Sequence, residues 1–316
     1  MGARDVSQFE NARENACRRS AGTDADDWLL PVRSLSQLRP TSITDAPSLD
    51  EDSSSRPVVL FAATRWELAA VRRAIPCERR IVIGGVNCLI GRHEGRAYWV
   101  VLTGIGPEAA QRAASAVLNR HGATLAVATG FAGALQPAAA TGDVIAATSV
   151  VSGRFDGAWA QAAAPIACDN LVLRAVETAA AEHGLAFRSG LMVSLSTVLC
   201  RAVEKASLWR LTGAIALDME SAAIGSVART HGVPFAVVRT VSDVAGEDLP
   251  LDFNVFLAPG GWVRGIGAMI MRPSSLIGLN RLRRQSRLAA GRLTAVCAAC
   301  LSNGFGLSPV FKAGRA

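Results

Sequence analysis

Between Val58 and Val241 the chain alternates short apolar runs with helix-length amphipathic stretches, most of the latter closed by a glycine. Val58-Val59-Leu60-Phe61-Ala62-Ala63 reads as a buried strand, and Trp66 to Ile75 as a helix stopped by Pro76. Further strands are expected at Ile81–Ile83, Cys88–Ile90, Ala97–Thr103, Leu125–Thr129, Asp143–Val151, Leu191–Val193 and Phe235–Val241. Helices are expected from Pro107 to His121, Asn170 to His183 and Ser221 to His231, each followed by glycine (Gly122, Gly184, Gly232). Strands and helices in this alternation predict an α/β fold, a three-layer α/β/α arrangement around a mixed central sheet.

Composition agrees with buried sheet strands under helices. Half the residues are hydrophobic but only 5% are aromatic, so Ala, Val and Leu must carry the core. No apolar run is long enough to span a bilayer; Leu125 to Val151 is broken by Gly130, Gly133, Pro137 and Asp143. The first twenty residues are polar and charged, unlike a signal peptide, so the expected location is cytoplasmic.

The net charge of +7 is unevenly spread. Residues 1–56 carry seven Arg against ten acids, −3, and read as a disordered or loosely attached extension. Residues 253–316 carry nine Lys or Arg and no acid, +9, which leaves +1 for the body between them. A nearly neutral body argues against nucleic acid as a partner and for a local basic surface. Three domains are therefore expected: the extension 1–56, a catalytic body 57–271, and a basic C-terminal helix and tail 272–316.

The seven cysteines are scattered and odd in number, which does not suit a disulfide framework. Cys297 and Cys300 form a C-x-x-C pair, read as two small apolar residues on one helix face because no second pair or histidine accompanies them. His121, His183 and His231 each precede a helix-closing glycine, where a capping role is expected, and His93 sits beside a turn. No metal-ligand spacing is present, and no resident cofactor is expected.

Candidate chemistry lies in Ala216-Leu217-Asp218-Met219-Glu220-Ser221-Ala222-Ala223 and in Val237-Val238-Arg239-Thr240-Val241-Ser242-Asp243-Val244-Ala245. Each places an acid where a strand ends, the end at which open α/β sheets gather ligands. Asp218 precedes a helix and reads as its N-cap. Glu220 and Asp243 follow strongly apolar strands and are expected to converge on one cleft.

These two segments resemble the C-terminal signature of the nucleosidase and nucleoside phosphorylase superfamily, in particular its methylthioadenosine/S-adenosylhomocysteine nucleosidase branch. The resemblance extends through T-G-I-G-P-E-A-A, A-T-G-F-A-G-A-L, T-G-D-V and G-L-M-V-S, over about residues 57–250. It implies cleavage of the N-glycosidic bond of a purine nucleoside, with adenine the expected base. Glu220 would then accept hydrogen bonds from the ribose hydroxyls and Met219 pack on the sugar. Asp243, oriented by Ser242, would serve the purine N7. The sugar passes through an oxocarbenium-like state while charge develops on the base, so carboxylates at these positions suit the chemistry.

Glu67 stands where that branch keeps a water-activating Glu; the other reading is an exposed Glu in a helix's first turn. Phosphorolysis would need cations instead, with phosphate as co-substrate, and Arg65 and Arg154 are the candidates. The turn Phe131-Ala132-Gly133 lines the expected base site, but Phe131 replaces a small polar residue of the branch. Val198, beside Leu199, replaces its base-stacking aromatic. The pocket is therefore expected to be reshaped for another substituent. A nucleoside-binding protein without turnover, or a membrane protein using the fold as scaffold, are the readings from other classes.

Leu279, Leu282, Ala289, Leu293, Val296 and Cys300 recur at three- and four-residue steps, with Ser286 at the one position the stripe misses, among five arginines. This basic amphipathic helix either lies on an anionic membrane or packs its stripe on the body or a second subunit. The segment R-P-S-S-L-I-G-L-N-R-L-R-R-Q-S-R-L-A-A is similar to hopanoid-associated phosphorylases, which implies a lipid-linked nucleoside such as adenosylhopane. A homo-oligomer is expected.

Overall fold

The computed structural model describes residues 56–250, Asn254 and 274–307. The extension up to residue 55 with Cys17, the expected boundary at 271 and the tail after 307 lie outside the described residues.

The core strand β1 (Val58–Ala62) is buried along its whole length. It runs parallel to both neighbours, β4 (Arg96–Leu102) and β5 (Leu125–Ala134). Beyond β4 lie β3 (Val86–His93) and β2 (Arg79–Ile83), an antiparallel meander at one edge. On the other side of β5 come β11 (Phe235–Asp243), β6 (Val144–Phe155), β9 (Phe187–Leu195) and β10 (Ala216–Asp218). β7 (Trp159–Gln161) and β8 (Ile166–Ala167) hang on β6. The sheet is mixed, as expected from the sequence, with helices packed on it.

Closure was not visible in the sequence pattern. β10 pairs with β9 in parallel and also with β5 antiparallel, through Ala216 against Ala134 and Leu217 against Gly133. Strands β5, β11, β6, β9 and β10 therefore close into a ring. β5 runs on to Ala134, and its last two residues, Gly133 and Ala134, are the ones that β10 meets. A second apolar core gathers Leu135, Val151, Val193, Leu195, Leu199, Leu208, Ala214 and Leu217.

The helices are α1 (Arg65–Ala74), α2 (Pro107–His121), α3 (Asn170–Glu182), α4 (Ala202–Thr212), α5 (Ser221–Thr230) and α6 (Ser274–Ser302). α2 opens with Pro107 at its first position and closes on Gly122. His121 ends α2 and meets Trp99 edge-on, with ring centroids 4.9 Å apart. His183 and His231 cap α3 and α5, as expected. α4 was not foreseen: its apolar residues follow no single face, and only Lys205 and Leu208 are buried.

Helix α6 resolves one of the open alternatives for its stripe. Ala289, Leu293, Val296 and Cys300 are fully buried, and the helix lies against α1, β11 and α3. Thr294 Oγ1 donates to Ala70 O at 2.9 Å, and Thr240 Oγ1 to Ala289 O at 3.0 Å, so both flanks are pinned to the body. Over these residues the stripe packs intramolecularly. Arg281 reaches Glu247 at 3.5 Å in a half-exposed pair. Among the described residues no helix is long and apolar enough to cross a membrane. Cys297 and Cys300 are buried, and burial raises both thiols, Cys297 to about 12, so neither is poised for redox work. No cluster of metal-ligating side chains occurs among the described residues.

Candidate active site

Thr64 ends the β1 loop and caps α1, and Glu67 at the third helical position closes the capping box. Glu67 Oε2 accepts from Thr64 N at 2.7 Å and from Thr64 Oγ1 at 2.9 Å. Its other oxygen, Oε1, accepts from Phe131 N at 2.7 Å. Glu67 is 3% exposed, so the reading of an exposed first-turn residue is corrected: it caps the helix but is buried against β5. That approach needs Gly130, where an added Cβ would lie 2.2 Å from Glu67 Oε1 and 2.8 Å from Arg239 Nη1.

Glu220 stands between β10 and α5 and is also buried. The glycine turn before α2 meets it, with Gly106 N donating to Oε1 at 2.8 Å. Burial pushes the Glu220 carboxyl up to about 7, opposed by Arg239 and reinforced by the charges of Asp218 and Glu67.

Arg239, in the middle of β11, joins these groups, and sequence reasoning passed over it. Its Nη2 lies 2.7 Å from Asp218 Oδ2 and 3.8 Å from Glu220 Oε2, and its Nη1 lies 3.7 Å from Glu67 Oε1. Nη1 also donates to Phe131 O at 3.1 Å, and Nη2 to Ser221 Oγ at 3.1 Å. The guanidinium is 1% exposed, and its Nε has no hydrogen-bond partner. An arginine inside an otherwise apolar strand (V-V-R-T-V) was the available signal, since arginine is almost never buried unpaired.

Asp218 departs from its expected role. Glu220, not Asp218, is the N-cap position of α5. Asp218 does reach Ser221 N at 3.3 Å, but it also takes hydrogen bonds from Ser194 Oγ at 2.5 Å and from Ser221 Oγ, besides holding Arg239. It anchors the guanidinium that faces both glutamates.

Asp243 ends β11, just after a register shift between Val241 and Asp243 that places it opposite Gly133. Gly133 in turn pairs with Leu217, so β5 stands between Asp243 and the Met219–Glu220 corner. Ser242 Oγ lies 2.9 Å from Asp243 Oδ1 and 3.3 Å from Ala132 O. An added Cβ at Gly133 would lie 3.0 Å from Asp243 Oδ2. The expected lone, partly desolvated acid is not what stands there: Lys205 Nζ lies 2.5 Å from Asp243 Oδ2. Lys205 escaped notice because α4 shows no amphipathic pattern.

Of the other candidates, Met219 is buried beside Glu220. Phe131 uses its backbone to join Glu67 and Arg239. Val198 is half-buried, and its N and O are clamped by the Asn254 side chain at 2.8 and 2.9 Å. Leu199 lies in the second apolar core, packed rather than free. Arg65 is exposed at the first turn of α1. Arg154 is 77% exposed on the β6–β7 hairpin and pairs with Asp156 at 3.5 Å. Neither is joined to the carboxylates.

The ring-closed mixed sheet thus carries an acid at the carboxyl end of β10, buried, and another at that of β11, partly exposed. The Phosphorylase superfamily profile matches residues 57–258, and the chain belongs to that superfamily. It is 29% identical over 212 residues to the 5'-methylthioadenosine/S-adenosylhomocysteine nucleosidase of Shewanella frigidimarina, covering 64% of this chain and 92% of that protein. Among solved structures, the Neisseria meningitidis 5'-methylthioadenosine/S-adenosylhomocysteine nucleosidase in complex with methylthio-immucillin-A superposes with a TM-score of 0.60. It shares 22% identity, with 77% of this chain and 99% of that one covered. The native futalosine hydrolase of Helicobacter pylori gives a TM-score of 0.60 at 19% identity, covering 77% and 97%.

Proposed function

We propose that this chain is a purine nucleosidase, cleaving the N-glycosidic bond of an adenine nucleoside with water. The observation that carries the reading is the convergence of Glu67 and Glu220 on the single buried guanidinium of Arg239, with Asp243 at the end of the same strand. Glu220, in its ionised form, accepts hydrogen bonds from the ribose hydroxyls, and Met219 packs on the sugar. Glu67 takes a proton from the attacking water, held by Thr64 and Phe131 in one orientation. Asp243, steadied by Ser242, serves the departing base. The relatives' names, nucleosidases and a futalosine hydrolase, support hydrolysis.

Phosphorolysis is disfavoured by charge. A phosphate at Arg239 would face Glu67, Asp218 and Glu220, while Arg65 and Arg154 stand apart in solvent. A lipid-linked nucleoside such as adenosylhopane rests on the C-terminal similarity. A membrane seat, if used, would draw on the arginines of α6, because its stripe from Ala289 onward is occupied.

The test is incubation of the full chain with a purine nucleoside panel, with and without phosphate, following free base and sugar chromatographically. Base release in phosphate-free buffer with free sugar as co-product is the expected result. Strict dependence on phosphate with a sugar 1-phosphate would establish the phosphorylase reading, and no release at all would leave a nucleoside-binding protein.

A further inference from the structure

We propose that Lys205 supplies the proton that leaves with the base, acting through Asp243, so that the acid of the site is an ammonium–carboxylate pair. This deepens the nucleosidase reading and rests on it. Lys205 is fully buried, among the largest such side chains, and lysine is rarely buried without a partner. Its Nζ donates to Asp243 Oδ2 at 2.5 Å and to Val244 O at 3.1 Å. The side chain of Lys205 is 1% exposed and that of Asp243 17%. Asp243 therefore stands between the ammonium and the open side, and a proton from Nζ reaches a bound base only through it.

The surrounding charged groups are otherwise engaged. At the start of α4, Glu204 accepts from Arg201 N and Asp248 from Ala202 N. Glu247 takes Arg281 and Gln285, while Arg239 is shared by Glu67, Asp218 and Glu220. On Asp243 itself, Ser242 occupies Oδ1.

A carboxylate paired with an ammonium carries no proton to donate, yet the proton sits one hydrogen bond away on nitrogen. As the bond between C1′ and N9 breaks and its electron pair moves to the base, Lys205 Nζ passes a proton to Asp243 Oδ2. The Asp243 carboxyl passes one to N7. Water adds to C1′ and gives its proton to Glu67. Lys205 is left as a neutral amine and Glu67 as the acid; release of the products lets solvent restore both, with no net proton change.

The test compares the full chain with Lys205→Arg and Lys205→Met on two substrates across pH. Methylthioadenosine needs its base protonated, whereas 4-nitrophenyl riboside releases a phenolate that does not. Arginine keeps the charge but does not deprotonate in proteins. Lys205→Arg is expected to lower kcat on methylthioadenosine by about 10²- to 10⁴-fold while leaving the nitrophenyl substrate little changed. Lys205→Met, in which Asp243 must bind its own proton, is expected to move the optimum for methylthioadenosine to lower pH. Equal losses on both substrates, or full activity of Lys205→Arg on methylthioadenosine, would overturn the proposal. If Lys205→Arg does not fold, an unchanged pH profile in Lys205→Met overturns it alone. Wild-type protein that releases no base from any nucleoside would instead remove the nucleosidase reading beneath it.

Discussion

Replacing Glu220 by Gln is expected to remove a large part of the alkaline loss of folding stability. Desolvation carries the Glu220 carboxyl from 4.5 to about 7, with Arg239 opposing and Asp218 and Glu67 adding to the rise. A group with a raised folded-state value binds its proton more tightly in the folded protein. Its contribution is therefore fully favourable below about pH 4.5, diminishes as pH rises, and is lost above about 7. The gap between 4.5 and about 7 corresponds to about 3 kcal/mol, a sizeable share of the ~5–15 kcal/mol that holds a typical domain together. Urea unfolding followed by tryptophan fluorescence at pH 5, 7 and 9 measures it in both proteins. The wild type should lose about 3 kcal/mol more than Glu220→Gln between the extremes. Gln still offers an oxygen to Gly106 N, so the contrast isolates the charge. The same ionisation should give activity an acid limb near pH 7, because the protonated carboxyl accepts ribose hydroxyls poorly. Parallel stability curves for the two proteins would refute the reasoning.

Asp243→Asn should lose on the order of 10²- to 10⁴-fold in turnover. It should also lose on the order of 3–5 kcal/mol of stability, because Lys205 is left buried without its carboxylate. The double variant with Lys205→Met should regain stability without activity, and equal urea midpoints for Asp243→Asn and wild type would contradict the pairing. Gly130→Ala should displace Glu67, given a Cβ 2.2 Å from its Oε1. A fall in kcat on the order of 10²-fold is expected in steady-state assays, and an unchanged kcat would exclude Glu67 from the reaction. Leu293→Ala, at a fully buried site in α6, should cost about 2–5 kcal/mol by chemical denaturation. A cost well under 1 kcal/mol would mean that the helix face is not packed as described.

Local rules made much of this protein legible in its sequence. Apolar runs reported β1, β5 and β11, glycine stops reported the ends of α2, α3 and α5, and acids after strands reported Glu220 and Asp243. These features depend on neighbours within a few residues, through periodicity and capping. Ring closure by β10 depended instead on pairings from Ala134 to Ala216 and from Met192 to Ala216, distant in the chain. The fate of α6 was equally undecidable from its own residues, because an apolar stripe fits a membrane, a second subunit or the body, and only the presence of α1 and β11 beside it settles which. The same holds within the site. The tertiary structure alone brought Arg239 among Glu67, Asp218 and Glu220, residues drawn from three separate segments. It likewise set Lys205 of the patternless helix α4 against Asp243. Spacing along the chain specifies which face a side chain takes, whereas a buried charge is tolerated only where the fold delivers its counter-charge.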